Sequence, residues 1–392
     1  MNILFFYRIY PEYGGVEVVT TVLANRMVSD GHHVTIVSIE QPHMELAEQL
    51  ANGIDVLRLD YPVNSNANVE KLHGIIVERN IDVVINQWGL PFKTTMLCNR
   101  AIKGTHCKLV SVLHGSPYTS KVIIKAQDKY KNSRNVFSRI LNLLILKSKE
   151  QVIKWSIRYN VRHNEKYILL SKAFIKPLQE YAHLKDISNV TAIGNPITID
   201  VDLHGFSLSE KKKQILYVGR MDFENKRVNR IVEAWKELYN DFTDWELVLV
   251  GDGPHKEALQ KYVAEHNIER VRFEGFQKDP PIQYYKDAKI FMLTSDLEGF
   301  GLVIIESMAY GVVPIVYGSY EAAYDIVDDG INGFVTPKPY SKAATISRLR
   351  TLMSHDTRCN GLAMAAMEKS KRFTLDAVIT QWYQMLHSVM FS

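Results

Sequence analysis

Two glutamates stand on either side of a glycine-containing turn in the second half of the sequence. Glu298 precedes the turn, and Glu306 follows it by a little over one helical turn. The residues between them begin with Gly299, Phe300, Gly301 and Leu302. An apolar run ends at Leu293, so the pattern predicts a buried strand, a turn and a helix start, where free backbone N–H groups favour an anion. Carboxylates do not bind phosphate, so the two glutamates are expected to face sugar hydroxyls.

Two cations occur in another loop that follows a predicted strand. Arg220 comes directly after Gly219, and Lys226 stands at the start of the next predicted helix. An arginine fork and a lysine point charge that converge on one loop suit a diphosphate. The alternative is a solvated loop, because both residue types are mostly exposed.

The first half of the sequence offers weaker candidates. Gly14 and Gly15 lie between the first strand and the first helix, where backbone N–H groups can approach a phosphate or a sugar, or where the chain only turns tightly. The pattern lacks the Gly-x-Gly-x-x-Gly fingerprint, so NAD binding is not supported. His114 follows another strand and could be a general base, a sugar ligand or a structural residue.

A possible metal motif is also present. Asp200 and Asp202 match the Asp-x-Asp pattern of metal-dependent sugar transferases. They fall in a polar stretch after Asn195-Pro196 rather than at a strand end, so we interpret them as solvated carboxylates and predict no metal site.

Strand and helix patterns alternate along the chain, which is typical of α/β proteins with parallel sheets. Strands are predicted over 2–8, 33–39, 54–59, 81–86, 108–113, 166–170, 190–193, 214–218, 246–250, 271–274, 289–293 and 313–317. We expect two Rossmann-like doubly wound domains, 1–197 and 198–374, with the site in a cleft where their strand ends meet, and a helix over 375–392 that crosses back to the first domain.

The composition is that of a soluble globular protein. The three cysteines show no metal-ligand spacing, the first residues enter a strand rather than a signal peptide, and no apolar run approaches the length of a membrane span. A cytoplasmic protein is expected.

The net charge of +4 is unevenly distributed. Residues 121–166 hold twelve Lys/Arg and three Asp/Glu, a local charge of +9 that leaves −5 for the rest. This segment lies in an expected helical insertion over about 119–163, with an apolar core over 136–147. It predicts either contact with an anionic membrane surface or a helix packed on its own domain, but not nucleic-acid binding.

Taken together, these motifs resemble those of the retaining GT-B glycosyltransferases of family four, the group-one glycosyltransferases. EGFGLVIIE over 298–306 matches the Glu-x7-Glu motif of that family, and YVGRMDFENK over 217–226 matches its diphosphate loop. LVLVGDGP, RFEGF, YPEYGG, LHGSP, LLSKAF and IGNP resemble further signatures along nearly the whole chain.

The resemblance implies a role for each matched position. Arg220 and Lys226 would hold the donor diphosphate, Glu306 the ribose and Glu298 the transferred sugar. The backbone of Phe300, Gly301 and Leu302 would cap the phosphates, Gly15 would face them, and His114 would lie by the sugar. In this family the departing β-phosphate is thought to take the acceptor proton, so catalysis would be metal-independent positioning and electrostatic stabilisation.

The sequence departs from the family pattern at two positions. The usual glycine after the diphosphate lysine is Arg227, which either adds a charge near the nucleotide or lies outside the site. The acidic position of a later loop is Asp325, in surroundings that do not allow the donor to be inferred.

The expected function is transfer of a sugar from a nucleoside diphosphate, UDP in the first instance, to a saccharide acceptor. The acceptor is expected to be a lipid-linked glycan intermediate of cell-surface polysaccharide or lipopolysaccharide synthesis, at the inner face of a membrane. No cofactor is expected beyond the nucleotide sugar itself. The alternatives are a GT-B sugar-nucleotide epimerase and a non-catalytic nucleotide-sugar-binding partner.

Overall fold

A computed structural model describes residues 1–118 and 120–391, with every side chain in these ranges except that of Lys121. The expected start of the helical insertion, at residue 119, lies outside the described residues. The chain forms two compact units, Met1–Asn195 with Val378–Ser392, and Pro196–Ala377.

The first unit alternates strands and helices. Its strands are β1 (Asn2–Ile9), β2 (His33–Glu40), β3 (Asp55–Arg58), β4 (Val83–Asn86), β5 (Lys108–Leu113), β6 (Lys166–Leu169) and β7 (Val190–Ala192). Its helices before the unit boundary are α1 (Gly15–Ser29), α2 (Asn66–Glu78), α3 (Phe92–Ala101), α4 (Lys121–Lys131), α5 (Val136–Arg162) and α6 (Ile175–Ala182).

The seven strands of this unit form one parallel sheet in the order β3-β2-β1-β4-β5-β6-β7. The order reverses beside β1, between β1 and β4, which is where ligands bind in doubly wound sheets. The central strands are buried on both faces, as shown by the uninterrupted buried run from Ile3 to Tyr7. On one face, Leu4 and Phe6 pack with Leu72 of α2 and Leu97 of α3.

The helical insertion consists of α4 and the 27-residue α5. The side chain of Ser120 caps α4 by accepting a hydrogen bond from Ile123 N. Asn135 and Ser138 form a capping box at the start of α5. These caps fix where both helices begin, so the short turn between them is encoded locally.

The second unit has the same alternation. Its strands are β8 (Lys212–Val218), β9 (Glu246–Val250), β10 (Val271–Gly275), β11 (Ala288–Leu293), β12 (Val313–Tyr317) and β13 (Phe334–Thr336). Its helices are α7 (Asn229–Lys236), α8 (Lys256–Glu265), α9 (Ile282–Asp287), α10 (Leu302–Ala309), α11 (Ala322–Ile326), α12 (Lys342–Ser354) and α13 (Asp356–Ser370).

The second sheet is also parallel, in the order β10-β9-β8-β11-β12-β13. The expected pair of parallel α/β sheets is therefore confirmed. Strand β13 and helices α6, α12 and α13 were not predicted. A strand of three residues carries too few positions for a period-2 pattern. Along α12 and α13 the apolar residues are small or scattered, so their helical periodicity is weak.

The last helix, α14 (Leu375–Met390), runs across the unit boundary. Its buried face includes Val378, Trp382 and Leu386. Tyr383 donates a hydrogen bond to Asp30 Oδ2 at 2.7 Å, and its ring contacts that of His32. The C-terminal part of the helix thus packs on the first unit, next to the end of α1.

Candidate active site

The turn between β11 and α10 has the geometry of an anion site. Gly301 is the N-cap of α10 with φ of 98°, a left-handed conformation that favours glycine. A Cβ at this position would lie 2.9 Å from the hydroxyl of Tyr320, so space as well as φ requires glycine. Within the described residues no side chain caps this helix start, and its first N–H groups are available to a ligand.

Lys226 and Glu298 meet directly at this turn. Lys226 Nζ lies 2.5 Å from Glu298 Oε1, and both side chains are mostly shielded from solvent. The loop that carries Lys226 is shaped by Asp222, whose Oδ1 accepts hydrogen bonds from Asn225 N at 2.7 Å and from Lys226 N at 2.8 Å. The local fold therefore brings the predicted diphosphate lysine and the predicted sugar carboxylate into contact.

Arg220 stands at the other end of the same loop, with its side chain exposed. Its carbonyl accepts a hydrogen bond from Tyr217 at 2.8 Å. The preceding Gly219 lies against the next strand-end loop, because a Cβ on Gly251 would come within 2.0 Å of Gly219 O. Backbone packing fixes the loop, while the exposed guanidinium can reach a ligand.

Arg227 lies beside the site and is part of an ion-pair network. Its Nε is 2.5 Å from Asp296 Oδ2, and Arg230 Nη1 is 2.7 Å from Asp296 Oδ1. Arg230 also donates to Thr294 O at 2.9 Å. Asp296 thereby ties the Lys226 loop to the Glu298 turn. The sequence allowed Arg227 either to add a charge near the nucleotide or to lie outside the site. The structure shows a further role, because Arg227 joins the two loops through Asp296.

Glu306 is buried, with 6% of its surface exposed. Thr198 donates to its Oε1 at 2.6 Å and Tyr285 to its Oε2 at 3.2 Å. Burial raises the pKa of this carboxyl, and the two hydroxyl donors act in the opposite direction. Both oxygens thus have a protein partner, which the sequence did not predict.

His114 lies at the end of β5 in the first unit. Its Nε2 is hydrogen-bonded to Gln87 Oε1, which only accepts, so Nε2 carries the hydrogen. Its Nδ1 is buried without a partner among the described residues. Burial lowers the pKa of His114 to about 3, so the ring is neutral over the physiological range. A neutral ring with one free lone pair can accept a hydrogen bond from a sugar hydroxyl.

Gly14 and Gly15 form the start of α1. Gly14 is the N-cap in an extended conformation, and Gly15 is the first helical residue. A Cβ on Gly14 would lie 2.0 Å from Glu17 Oε2. Burial raises the pKa of the Glu17 carboxyl. The Glu17 carboxylate lies directly over Gly14 in this structure, but a flexible side chain can move aside, so the contact does not by itself require glycine.

Asp200 and Asp202 have exposed side chains. Their segment is fixed through its backbone, because Tyr310 donates to Asp200 O at 2.9 Å. Among the described residues there is no cluster of three or more His, Cys, Asp or Glu side chains placed to hold a metal ion.

Two family models cover most of the chain. Residues 13–200 match glycosyltransferase family 4, and residues 202–369 match the glycosyl transferases group 1. The chain belongs to the group 1 glycosyltransferases. Its two parallel α/β sheets match those of solved GT-B glycosyltransferases, so the expected GT-B fold is confirmed.

Similar proteins have diverged far from this glycosyltransferase in sequence. N-acetyl-alpha-D-glucosaminyl L-malate synthase of Bacillus anthracis is 22% identical over 97% of this chain and 96% of its own length. The HepE protein of Anabaena, solved in complex with UDP, has a TM-score of 0.76 at 19% identity and matches 99% of this chain and 100% of its own. The lipopolysaccharide outer core galactosyltransferase WaaB has a TM-score of 0.72 at 20% identity, over 99% of both chains.

In this glycosyltransferase the predicted residues fall into two groups. Arg220, Lys226, Glu298 and the Gly301 turn belong to the second unit, where Lys226 and Glu298 touch. Gly14, Gly15 and His114 belong to the first unit. The sequence reading missed Gln87, Asp296 and Tyr320. Gln87 and Asp296 each come soon after a strand, which is a usable signal, whereas nothing in the sequence marked Tyr320.

Proposed function

We propose that this glycosyltransferase transfers a sugar from a nucleoside diphosphate, UDP in the first instance, to a saccharide acceptor with retention of configuration. The observation that carries the proposal is the contact of Lys226 with Glu298 beside the open N-terminus of α10. At this one turn, a cation and backbone N–H donors suit the two phosphates of a sugar diphosphate, and a carboxylate suits the hydroxyls of its sugar.

Binding of the donor replaces the ion pair between Lys226 and Glu298. Lys226 and Arg220 form ion pairs with the diphosphate, and the N–H groups at the start of α10 donate hydrogen bonds to a phosphate oxygen. Glu298, released from Lys226, accepts hydrogen bonds from hydroxyls of the donor sugar. Glu306 binds the ribose through lone pairs that Thr198 and Tyr285 leave unused, since each carboxylate oxygen can accept two hydrogen bonds.

The chemical step needs no protein base. The bond between the anomeric carbon and the β-phosphate oxygen breaks, and the acceptor hydroxyl forms the new bond on the same face. Its proton passes to the departing phosphate oxygen. Lys226 and Arg220 stabilise the charge on the leaving diphosphate, and His114 accepts a hydrogen bond from the sugar through Nδ1.

Incubation with UDP-glucose, UDP-galactose and the two UDP-N-acetylhexosamines tests this function. We expect slow release of UDP, unchanged by EDTA, from the donor that fits. Loss of release in EDTA would contradict the metal-free mechanism. A free epimer of the sugar would instead support epimerase chemistry, and binding without any turnover would support a non-catalytic partner.

We further propose that the helical insertion holds the enzyme at an anionic membrane, where a lipid-linked acceptor would be found. One end of α5 is apolar and exposed, with Phe137 80% accessible. Its exposed apolar residues are Val136, Phe137, Ile140, Leu141, Leu144 and Ile145. Basic Arg134, Arg139 and Lys147 lie next to them and are exposed. Apolar insertion flanked by cations matches an anionic bilayer interface.

No helix among the described residues is long and apolar enough to cross a bilayer. Flotation with phosphatidylglycerol vesicles tests the surface proposal. We expect the wild type to float and the double variant F137S/L144S to remain at the bottom. The variant I331S is the matched control, because Ile331 is 64% exposed but lies in the second unit. Equal flotation of wild type and F137S/L144S would exclude α5 as the contact, as would absence of flotation in the wild type.

A further inference from the structure

Four exposed or partly exposed side chains form a continuous row across one edge of the first sheet. Arg8 lies near the end of β1, Glu40 ends β2, Tyr61 follows β3 and Trp88 follows β4. The sheet order β3-β2-β1-β4 makes these four strand ends immediate neighbours. We refer to Tyr61, Glu40, Arg8 and Trp88 as the edge row. It lies at the carboxyl ends of parallel strands, where ligands of such sheets bind.

Direct contacts join each member of the edge row to the next. Tyr61 donates a hydrogen bond to Glu40 Oε1 at 2.5 Å, and Arg8 Nε donates to the same oxygen at 3.1 Å. The guanidinium of Arg8 lies over the ring of Trp88, with 5.8 Å between Arg8 Cζ and the ring centroid. The row is therefore ordered before any ligand arrives, although its side chains reach solvent.

The edge row also keeps unused hydrogen-bonding groups. Among the described residues, Glu40 Oε2 and both Nη groups of Arg8 make no hydrogen bond. A carboxylate oxygen and a forked donor side by side can bind two neighbouring hydroxyls of a sugar ring. The charges of Arg8 and Glu40 cancel, which favours a neutral ligand over an anion. Trp88 packs on the core and carries Arg8 over its ring, but it is only partly buried, so the exposed part of its ring can contact the C–H groups of a pyranose.

We propose that the edge row binds a neutral pyranose ring of the acceptor saccharide. The inference rests on the proposed function, because it assigns the acceptor to the first unit. The pyranose contacts the exposed part of Trp88 beside Arg8, and its vicinal hydroxyls bind Glu40 Oε2 and the Arg8 fork. Tyr61 holds the carboxylate in place and acts as a positioning residue.

Binding can be measured without the donor. Saturation-transfer NMR and indole fluorescence with a panel of methyl pyranosides, namely the glucoside, galactoside, mannoside and both N-acetylhexosaminides, should show at least one ligand of the wild type. W88A should weaken that ligand by at least ~10-fold, the scale of truncating a tryptophan hot spot. W88F should keep most of the affinity, and E40Q should weaken binding while leaving the fold intact.

Another ion pair that lies beside an aromatic ring provides the matched control. Arg350 pairs with Asp241 at 2.5 Å and lies over Phe242 at 5.9 Å, but on the second unit. R350Q should bind the pyranosides as the wild type does. Unchanged affinity in both W88A and E40Q would overturn the proposal, and so would absence of any pyranoside binding by the wild type up to ~100 mM, weaker than the millimolar affinities of weak ligands.

Release of UDP from the donor separates this proposal from the proposed function. Hydrolysis of the donor needs no saccharide acceptor, and none of the residues that we assign to the donor belongs to the edge row, so W88A and E40Q should still release UDP at the wild-type rate. Transfer to the pyranoside that binds should show a raised acceptor KM in both. If the wild type releases no UDP, the proposed function fails whatever the pyranosides do. If it releases and transfers normally and both variants match it, only the edge row is excluded.

Discussion

Lys226 Nζ lies 2.5 Å from Glu298 Oε1, so the lysine that we assign to the diphosphate is paired with the carboxylate that we assign to the sugar. Each of the two side chains is positioned by its own strand-end loop. The charges of Lys226 and Glu298 cancel in the absence of a ligand. A ligand that separates them must offer an anion to Lys226 and hydroxyl groups to Glu298, and a sugar diphosphate carries both. A simple anion such as phosphate can satisfy only Lys226.

Replacing Lys226 by alanine should lower the turnover of donor by at least ~10²-fold, the scale of losing one electrostatic stabiliser of a leaving group. The rate of UDP release under saturating donor measures the effect. K342A is the matched control, because Lys342 makes a 2.8 Å ion pair with Glu237 in the same unit, away from the site. A K226A rate close to that of K342A would remove Lys226 from the site.

Arg227 has φ of 52°, a left-handed conformation that costs a residue with a Cβ more than it costs glycine. R227G and R227A both lose the ion pair with Asp296, but only R227A keeps the backbone cost. We expect R227A to be less stable than R227G by about 1 kcal/mol, measured by urea unfolding. Because the ion pair is partly exposed, R227G itself should change stability by less than about 1 kcal/mol. Equal stability of the two variants would contradict a backbone cost.

His114 should make the fold sensitive to acid. Burial lowers its pKa to about 3 in the folded chain, while an unfolded histidine titrates near its ordinary value of 6.5. Between these pH values the unfolded chain binds more protons, so stability falls as the pH falls through this window. Urea unfolding at pH 7 and pH 5 should show a smaller loss in H114Q than in the wild type. An equal loss would show that another group is responsible.

The same pKa predicts the pH profile of activity. A neutral His114 should give no inflection in donor turnover near pH 6.5. An inflection there that disappears in H114Q would show that the ring does titrate in the active enzyme, against the burial that lowers its pKa.

Two buried tyrosines near Glu298 differ in one respect. Tyr217 donates to Arg220 O at 2.8 Å, whereas the hydroxyl of Tyr320, which is 2% exposed, has no partner among the described residues. Y217F should cost about 1 kcal/mol of stability, the net contribution of one hydrogen bond, and Y320F should cost nothing or stabilise. Thermal unfolding of both variants tests this contrast. A larger loss in Y320F would show that its hydroxyl is bonded.

The sequence predicted most strands within a residue or two because buried parallel strands are short apolar runs bounded by turn residues. It also identified the Lys226 loop and the Glu298 turn, since each follows such a strand. It could not show that Thr198, far away in the chain, donates to Glu306, or that Asp296 joins the two loops. Contacts of this kind depend on how strands are ordered in the sheet. Local periodicity does not contain that order.

The position of α14 has a consequence for synthesis. The first unit consists of the N-terminal 195 residues and most of α14, which follows the second unit in the chain. Trp382 and Leu386 of α14 are buried. A ribosome therefore finishes the second unit before it delivers the segment that completes the first. Domains generally fold as units while the chain emerges. In this enzyme the unit whose synthesis begins first is completed last, and a chain that ends near residue 377 contains the whole second unit but lacks the helix that completes the first.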